Sequence, residues 1–303
     1  MKIDTLILGG CSTKIPAYVG IFKALYELNI IDEKLQGIKH IISCSIGLLV
    51  SLYLLLEVNI QVQEVTVLEA DFSKLIDIDN LDIESLLINL GLFDNYLVTT
   101  LIKGVLQEKY NKQDMTLKEL YDINPILLTV KCINITKGCN EYINVKTDPD
   151  LSILTLLQMT TAIPIFFRPI TYNKCQYVDG GLTGGYPVEL VKDNYLGFNI
   201  NGSFDFNSNE LLDSIPILSF IISLLKINVK NIEDTCEIKT IIYNTNVHFT
   251  EFNVPKDKKK ELIKYGYDKT IQHIKQYNLT NDNLTSNYEP SKPDEDISPT
   301  EED

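Results

Sequence analysis

The feature that most constrains the fold is the alternation of short apolar strands with helical segments near the start of the chain. The chain opens with an alternating apolar run, Ile3 to Leu8, and continues through a turn into an apolar helical stripe from Tyr18 to Leu28. A second unit of this kind follows, with a strand at 38–42 and a helix at 46–57. Such alternation is typical of parallel strands joined by helical crossovers that cover both faces of a sheet. The sequence therefore predicts an α/β fold with a three-layer α/β/α arrangement around a mainly parallel central sheet.

The middle of the chain continues this pattern. Thr116 and Glu119 have the spacing of a capping box at the start of a helix. The segments 126–135 and 142–145 resemble two strands of a hairpin. Asp150 is predicted to cap a helix that reaches about residue 161.

The C-terminal part differs in composition from the rest. We expect the main folded domain over residues 1–250, an amphipathic helix over 251–279, and an acidic, disordered tail over 280–303. The helix carries an apolar stripe, Ile263 to Tyr277, opposite a set of lysines. This stripe fits either packing on the domain or docking at a membrane surface.

Composition excludes several classes of function and predicts the compartment. The net charge of −14 is unfavourable for binding nucleic acid. The longest apolar runs, 46–56 and 215–225, fall short of the roughly 20 residues that span a bilayer. No signal peptide is recognised, so we expect a cytoplasmic protein, with peripheral contact at membranes left open. The 6 cysteines lack metal-binding spacing, so neither a disulfide framework nor a metal site is expected.

Three short segments at the ends of predicted strands carry residues suited to chemistry. The first, Gly9 to Lys14, is a glycine-containing turn between a strand and a helix. Such a turn directs backbone N–H groups and a helix N-terminus toward one point, where an anion or a developing oxyanion is stabilised. Its glycine spacing is neither that of a phosphate-binding loop nor that of a dinucleotide-binding loop.

The other two segments supply a candidate nucleophile and a candidate base. Ser43–Gly47 joins a strand to an apolar helix, and Tyr177–Gly181 places an aspartate before two glycines at the end of a strand. A serine at the apex of a sharp strand-to-helix turn is exposed at the carboxyl end of the sheet, and the helix N-terminus favours its alkoxide. Ser45 is therefore a candidate nucleophile. Asp179 is either its base or part of an ordinary Asx turn.

In this order, the three segments resemble the motifs of the patatin-like phospholipase family. In that family a glycine-rich loop forms the oxyanion hole, a G-x-S-x-G turn presents the nucleophile, and a D-G-[GA] turn carries the base. The similarity runs from about Thr5 to about Phe198. Further matching segments are Val19 to Leu25, Thr116 to Leu120, Thr161 to Phe166, and Tyr186 to Val188.

The resemblance implies a lipid acyl hydrolase, a phospholipase A-type esterase that acts on phospholipid or another lipid ester without a cofactor. Carried over to this chain, Ser45 is the nucleophile that becomes acylated, and Asp179 is the base that takes its proton.

The resemblance also assigns roles in the glycine loop. The oxyanion-hole amides correspond to Gly10, Cys11 and Ser12, and Lys14 occupies the place of the family's basic residue, which suits an anion or a lipid head group. Ile15 stands where the family has its last glycine. A non-glycine residue in a left-handed conformation costs about 1–2 kcal/mol, so we expect slow turnover on simple esters.

Other interpretations remain open. Ser45, Asp179 and His248 occur in the chain order of an α/β-hydrolase triad, although the serine turn follows the second predicted strand, earlier than in that fold. Cys44 offers a thiol nucleophile one residue from the apex of the turn. The altered glycine loop, together with Ser43 at the first glycine position of the turn, also fits a family member that acts as a binding or interaction module.

Overall fold

The computed structural model describes residues 3–75, 83–203, 237–248 and 251–279. The expected acidic tail, 280–303, and the apolar run 215–225 lie outside the described residues. The strands are β1 (Thr5–Leu8), β2 (His40–Cys44), β3 (Gly91–Phe93), β4 (Leu127–Asn134), β5 (Cys139–Asn144), β6 (Ile165–Phe167), β7 (Ile170–Tyr172), β8 (Cys175–Asp179), β9 (Tyr195–Ser203) and β10 (Thr240–His248). The helices are α1 (Pro16–Glu27), α2 (Gly47–Leu55), α3 (Ile60–Glu69), α4 (Ile83–Asn89), α5 (Tyr96–Tyr110), α6 (Leu117–Ile123), α7 (Ile153–Thr161) and α8 (Lys256–Gln276).

The main sheet has the strand order β10-β9-β1-β2-β4-β8-β7, with β5 paired to β4 as well. The five strands β10, β9, β1, β2 and β4 run parallel to one another. Strands β5, β8 and β7 are joined to the sheet by antiparallel pairings. Helices α1, α3 and α8 pack together as one group, and α2, α5 and α7 pack together as another. The predicted three-layer α/β/α fold with a mainly parallel central sheet is confirmed.

Two strands meet end to end along one edge of β4. Cys44, the last residue of β2, pairs with Lys131 in parallel, and Asp179, the last residue of β8, pairs with Cys132 in antiparallel. Because β5 pairs along the opposite edge of β4, β2 and β8 must share the remaining edge. They run in opposite directions, so their carboxyl ends meet. This junction brings the residue after β2, Ser45, next to Asp179.

Helix α2 begins at this junction and is enclosed by the fold. Each residue of Gly47–Leu55 is buried, which explains why the segment is apolar all round. A Cβ built on Gly47 would lie 2.3 Å from the carbonyl oxygen of Leu8 and 2.8 Å from that of Gly9. Only glycine lets the start of α2 approach the end of β1 this closely.

Helix α8 lies along α1 with the two backbones in contact. A Cβ on Gly20 would lie 1.9 Å from the Ile263 carbonyl oxygen, and a Cβ on Gly266 would lie 2.2 Å from that of Ala17. Ile263 and Ile274, two members of the expected stripe, are buried. The apolar side of this helix therefore packs within the protein. None of the helices in the described ranges is long and apolar enough to cross a membrane.

Local helix signals agree with the structure in one place and differ in another. The predicted capping box is confirmed: the Glu119 N–H donates to Thr116 Oγ1 at 3.1 Å, and the Thr116 N–H donates to Glu119 Oε2 at 2.8 Å. Asp150 does not cap α7. The cap is Ser152, whose Oγ accepts the Thr155 N–H at 3.1 Å. The helix starts at Ile153, two residues later than a cap at Asp150 would give.

Candidate active site

A serine and an aspartate are in direct contact at the junction of β2 and β8. The Ser45 hydroxyl donates a hydrogen bond to Asp179 Oδ2 at 2.6 Å. The other carboxylate oxygen, Oδ1, accepts the Gly181 N–H at 2.7 Å. Both side chains are nearly enclosed, since Ser45 is 8% exposed and Asp179 is 4% exposed. The structure thus brings the two expected site residues together in a protected environment, while their catalytic roles stay predictions.

The backbone at Ser45 adopts a conformation that is rare outside glycine. Its φ is +53°, and its carbonyl accepts the Leu48 N–H at 3.0 Å to begin the first turn of α2. A left-handed serine costs about 1–2 kcal/mol, and such strain is concentrated at functional sites. The conformation places the hydroxyl at the N-terminus of α2, where the helix dipole favours a negative oxygen.

The Asp179 carboxyl is more basic than an ordinary aspartate. Burial raises its pKa from 3.8 to about 6, and the hydrogen bonds from Ser45 and Gly181 oppose this rise. The carboxyl is therefore mostly ionised at neutral pH and accepts a proton more readily than a solvent-exposed aspartate.

Gly10 contributes space next to the serine. A Cβ at this position would lie 2.9 Å from Ser45 Cβ, which is closer than two carbon atoms normally approach. The Gly10 N–H donates to the Gly185 carbonyl oxygen at 2.8 Å. Gly10 was expected to supply an oxyanion-hole amide, but in this structure its N–H is already engaged with a carbonyl across the site.

The rest of the loop shows which of the altered positions is strained. Cys11 has φ −139° and Ile15 has φ −49°, so both have backbone conformations open to any residue. Ser12 has φ +52° and lies in the left-handed region that favours glycine. The loss of the last family glycine at Ile15 therefore costs no backbone strain, and the strain falls on Ser12.

Lys14 is removed from solvent. It is 2% exposed, and a Cβ on Gly202 of β9 would lie 2.8 Å from its Nζ. Burial lowers its pKa to about 8, with Cys11 and Glu251 opposing the change. The side chain thus extends toward β9, and a contact with an anion or a lipid head group stays a prediction.

The geometry bears on the other candidate nucleophiles and bases. His248 lies on β10, and strands β9 and β1 lie between β10 and β2. The distance from β10 to β2 is therefore three strand spacings, or about 14 Å. Cys44 is fully buried, and burial raises the pKa of its thiol well above the ordinary value. In the described part of the chain, no group of three or more His, Cys, Asp or Glu side chains is placed to hold a metal ion.

Two residues that the sequence did not single out support the site. The hydroxyl of Thr160, near the end of α7, accepts the Ser45 N–H at 2.8 Å. Lys131 is 2% exposed, and its Nζ donates to the Gly184 carbonyl oxygen and to Glu189 Oε1, each at 3.0 Å. A lysine in the middle of the apolar β4 was the one sequence signal that could have indicated such a role.

Comparisons with known proteins give a family match and several relatives. A protein-family model described as patatin-like phospholipase matches residues 6–192 of this chain. "Probable lipid hydrolase 463L" of Invertebrate iridescent virus 6 is 27% identical over 187 residues, which is 62% of this chain and 62% of that protein. The match thus spans less than two thirds of that relative. "Uncharacterized protein R571" of Acanthamoeba polyphaga mimivirus is 23% identical over 291 residues, which is 90% of this chain and 94% of that protein.

A solved structure shares the fold. VipD from Legionella pneumophila superposes with a TM-score of 0.62 at 18% sequence identity, covering 91% of this chain and 67% of that one. At this identity the likeness concerns the architecture alone.

Proposed function

The chain belongs to the patatin-like phospholipase family, and from that premise we propose that it is a lipid acyl hydrolase with Ser45 as nucleophile and Asp179 as base. The observation that carries the proposal is the 2.6 Å hydrogen bond from the Ser45 hydroxyl to the carboxylate, with no imidazole between them. This contact has the geometry that proton transfer from a nucleophile to its base requires.

In the first half of the reaction, Ser45 Oγ attacks the carbonyl carbon of an ester while its proton passes to Asp179. The carbonyl oxygen becomes an oxyanion, for which the amides of Cys11 and Ser12 and the N-terminus of α2 are the proposed donors. The tetrahedral intermediate then collapses. The bond to the alcohol breaks, the alcohol oxygen takes the proton from Asp179, and Ser45 carries the acyl group.

In the second half, water attacks the acyl-enzyme and transfers a proton to Asp179. Collapse of the second intermediate releases the fatty acid, and Ser45 recovers its proton from the carboxyl. Asp179 acts once as base and once as acid in each half, for which a pKa of about 6 is suitable near neutral pH. This scheme requires no cofactor.

The proposed substrate is a phospholipid or another lipid ester. Support comes from the family description and from the name of the viral relative, which is called a lipid hydrolase.

A second candidate function is that of a binding or interaction module with the patatin-like fold. The observation in its favour is the loop: the Gly10 N–H is engaged with Gly185, and Ser12 is strained. A missing oxyanion donor lowers the rate by roughly 10²- to 10³-fold.

Hydrolysis of a short chromogenic ester and of phospholipid vesicles tests the proposal. Ser45→Ala and Asp179→Asn should each remove nearly all turnover, and the double variant should be no worse, because the two residues act as one unit. His248→Ala is the control and should keep most of the rate. Turnover in Ser45→Ala equal to that of the wild type would refute the proposal, and an inert but folded wild type would favour the binding module.

A further inference from the structure

The C-terminal end of α7 contacts both members of the Ser45–Asp179 pair. The Thr160 hydroxyl accepts the Ser45 N–H at 2.8 Å, and the Ala162 carbonyl oxygen accepts the Asp179 N–H at 3.0 Å. Thr160 and Ala162 are fully buried. One short segment therefore holds the backbones of two residues that are 134 positions apart in the sequence.

The Thr160 hydroxyl also has a fixed direction. Its proton is donated to the Lys131 carbonyl oxygen at 2.8 Å. A hydroxyl has one proton and two lone pairs, so this donation leaves its lone pairs to accept the Ser45 N–H. Both hydrogen bonds are buried, and each satisfies a backbone group that water cannot reach.

The position of this hydroxyl in the sheet explains its effect on Ser45. The pairing of β2 with β4 ends at Cys44 and Lys131. In a parallel ladder continued by one residue, the Ser45 N–H would donate directly to the Lys131 carbonyl. Thr160 instead places its hydroxyl between these two groups. The chain leaves the sheet at Ser45, and the next residue of β4, Cys132, pairs with Asp179.

We propose that Thr160 is a positioning residue, whose inserted hydroxyl holds the Ser45 backbone in the φ +53° conformation that aims Oγ at the Asp179 carboxylate. The inference rests on the proposed hydrolase function. The Thr160 hydroxyl is hydrogen-bonded to backbone groups of Ser45 and Lys131, so it acts through the backbone of Ser45.

Substitutions at Thr160 separate the hydroxyl from the volume of the side chain. Thr160→Val keeps the shape and loses the hydroxyl, and Thr160→Ser keeps the hydroxyl and loses a methyl group. We expect Thr160→Val to lower kcat roughly 10- to 100-fold with little change in KM, because a displacement of about 1 Å at a reacting group has effects of this size. Thr160→Ser should retain most of kcat.

The neighbouring residue provides a matched control. Thr161 is also buried on α7, but its hydroxyl donates to Leu157 and accepts from Asn95, away from Ser45. Thr161→Val should therefore keep the wild-type kcat. If Thr160→Val does not fold, Thr160→Ala and Thr160→Ser replace it, because these two variants differ from each other only by the hydroxyl.

A second readout does not depend on turnover. The Ser45 amide should exchange with deuterium faster in Thr160→Val than in the wild type and in Thr161→Val, with thermal melts confirming that all three are folded. An active wild type whose Thr160→Val variant keeps its kcat, or whose Ser45 amide stays equally protected, overturns this inference and leaves the hydrolase function standing. Equal inertness of the wild type and Ser45→Ala overturns both.

Discussion

Replacement of Asp179 by asparagine should stabilise the protein at neutral pH while it abolishes hydrolysis. Asparagine has nearly the same shape, can accept the Gly181 N–H, and can donate to Ser45 Oγ. What it removes is a buried charge. The carboxylate receives two hydrogen bonds, from Ser45 and Gly181, and neither contributes a positive charge.

The magnitude follows from the rise in the pKa of Asp179, from 3.8 to about 6. The folded state binds the proton more tightly than the unfolded chain does, so protonation favours folding. This contribution is complete below pH 3.8 and is lost as the pH rises through about 6. Two pKa units correspond to about 3 kcal/mol at pH 7. The wild type has already lost about 0.5 kcal/mol of this contribution at pH 4, so the gain in unfolding free energy of Asp179→Asn over the wild type should increase by about 2.4 kcal/mol between pH 4 and pH 7.

Urea denaturation of both proteins from pH 4 to pH 8 measures this difference. Ser45→Ala is the matched control, because it is also expected to be inactive but keeps the buried carboxylate. Its stability should fall between pH 4 and pH 7 at least as much as that of the wild type, since it loses a hydrogen bond that lowers the pKa of Asp179. A gain for Asp179→Asn that is the same at pH 4 and pH 7 would refute the argument.

Three further predictions concern the site. The kcat/KM for ester hydrolysis should rise with pH through about 6 and then level off, because Asp179 must be ionised to accept the serine proton; a rate independent of pH from 5 to 8 would contradict this role. Ser12→Gly should relieve about 1–2 kcal/mol of left-handed strain and raise turnover; a variant that is slower and less stable in urea would show that the loop is already well formed. Gly47→Ala should lower the free energy of unfolding by roughly 1–3 kcal/mol, measured by urea denaturation, because the new Cβ meets the Leu8 carbonyl oxygen. Gly104→Ala, which faces open space, is its control and should gain up to about 1 kcal/mol.

The sequence predicted the parts of this fold that depend on local pattern. The serine turn after β2, the aspartate at the end of β8, and the Thr116 capping box all depend on residues a few positions apart. The meeting of β2 and β8 along β4 does not, because it depends on the register of strands far apart in the sequence. The contacts of Thr160 and Lys131 with the site have the same origin. Helix α3 and the short strands β3, β6 and β7 lacked a pattern strong enough to predict.

The glycine loop shows how a motif can depart from its family without a matching loss of geometry. Glycine is required only where the backbone is left-handed or where a Cβ has no room. Ile15 has ordinary helical torsions, Cys11 has a negative φ of −139°, and Gly10 remains where Ser45 leaves no space for a Cβ. A motif comparison counts each lost glycine equally, whereas the structure assigns strain to Ser12 alone.

This distribution of strain bears on the choice between an enzyme and a binding module. The left-handed backbone of Ser45 lowers the free energy of unfolding by about 1–2 kcal/mol, and the buried Asp179 carboxylate lowers it by about 3 kcal/mol at pH 7. The total free energy of unfolding of a typical domain is only about 5–15 kcal/mol. A module that only binds a partner has no use for this carboxylate, and asparagine at 179 would give it the same fold with greater stability. An enzyme needs the carboxylate, because the property that destabilises the fold, a pKa near 6 in a buried position, is the one that lets it take the serine proton. The energetic cost of Asp179 therefore favours the hydrolase over the binding module.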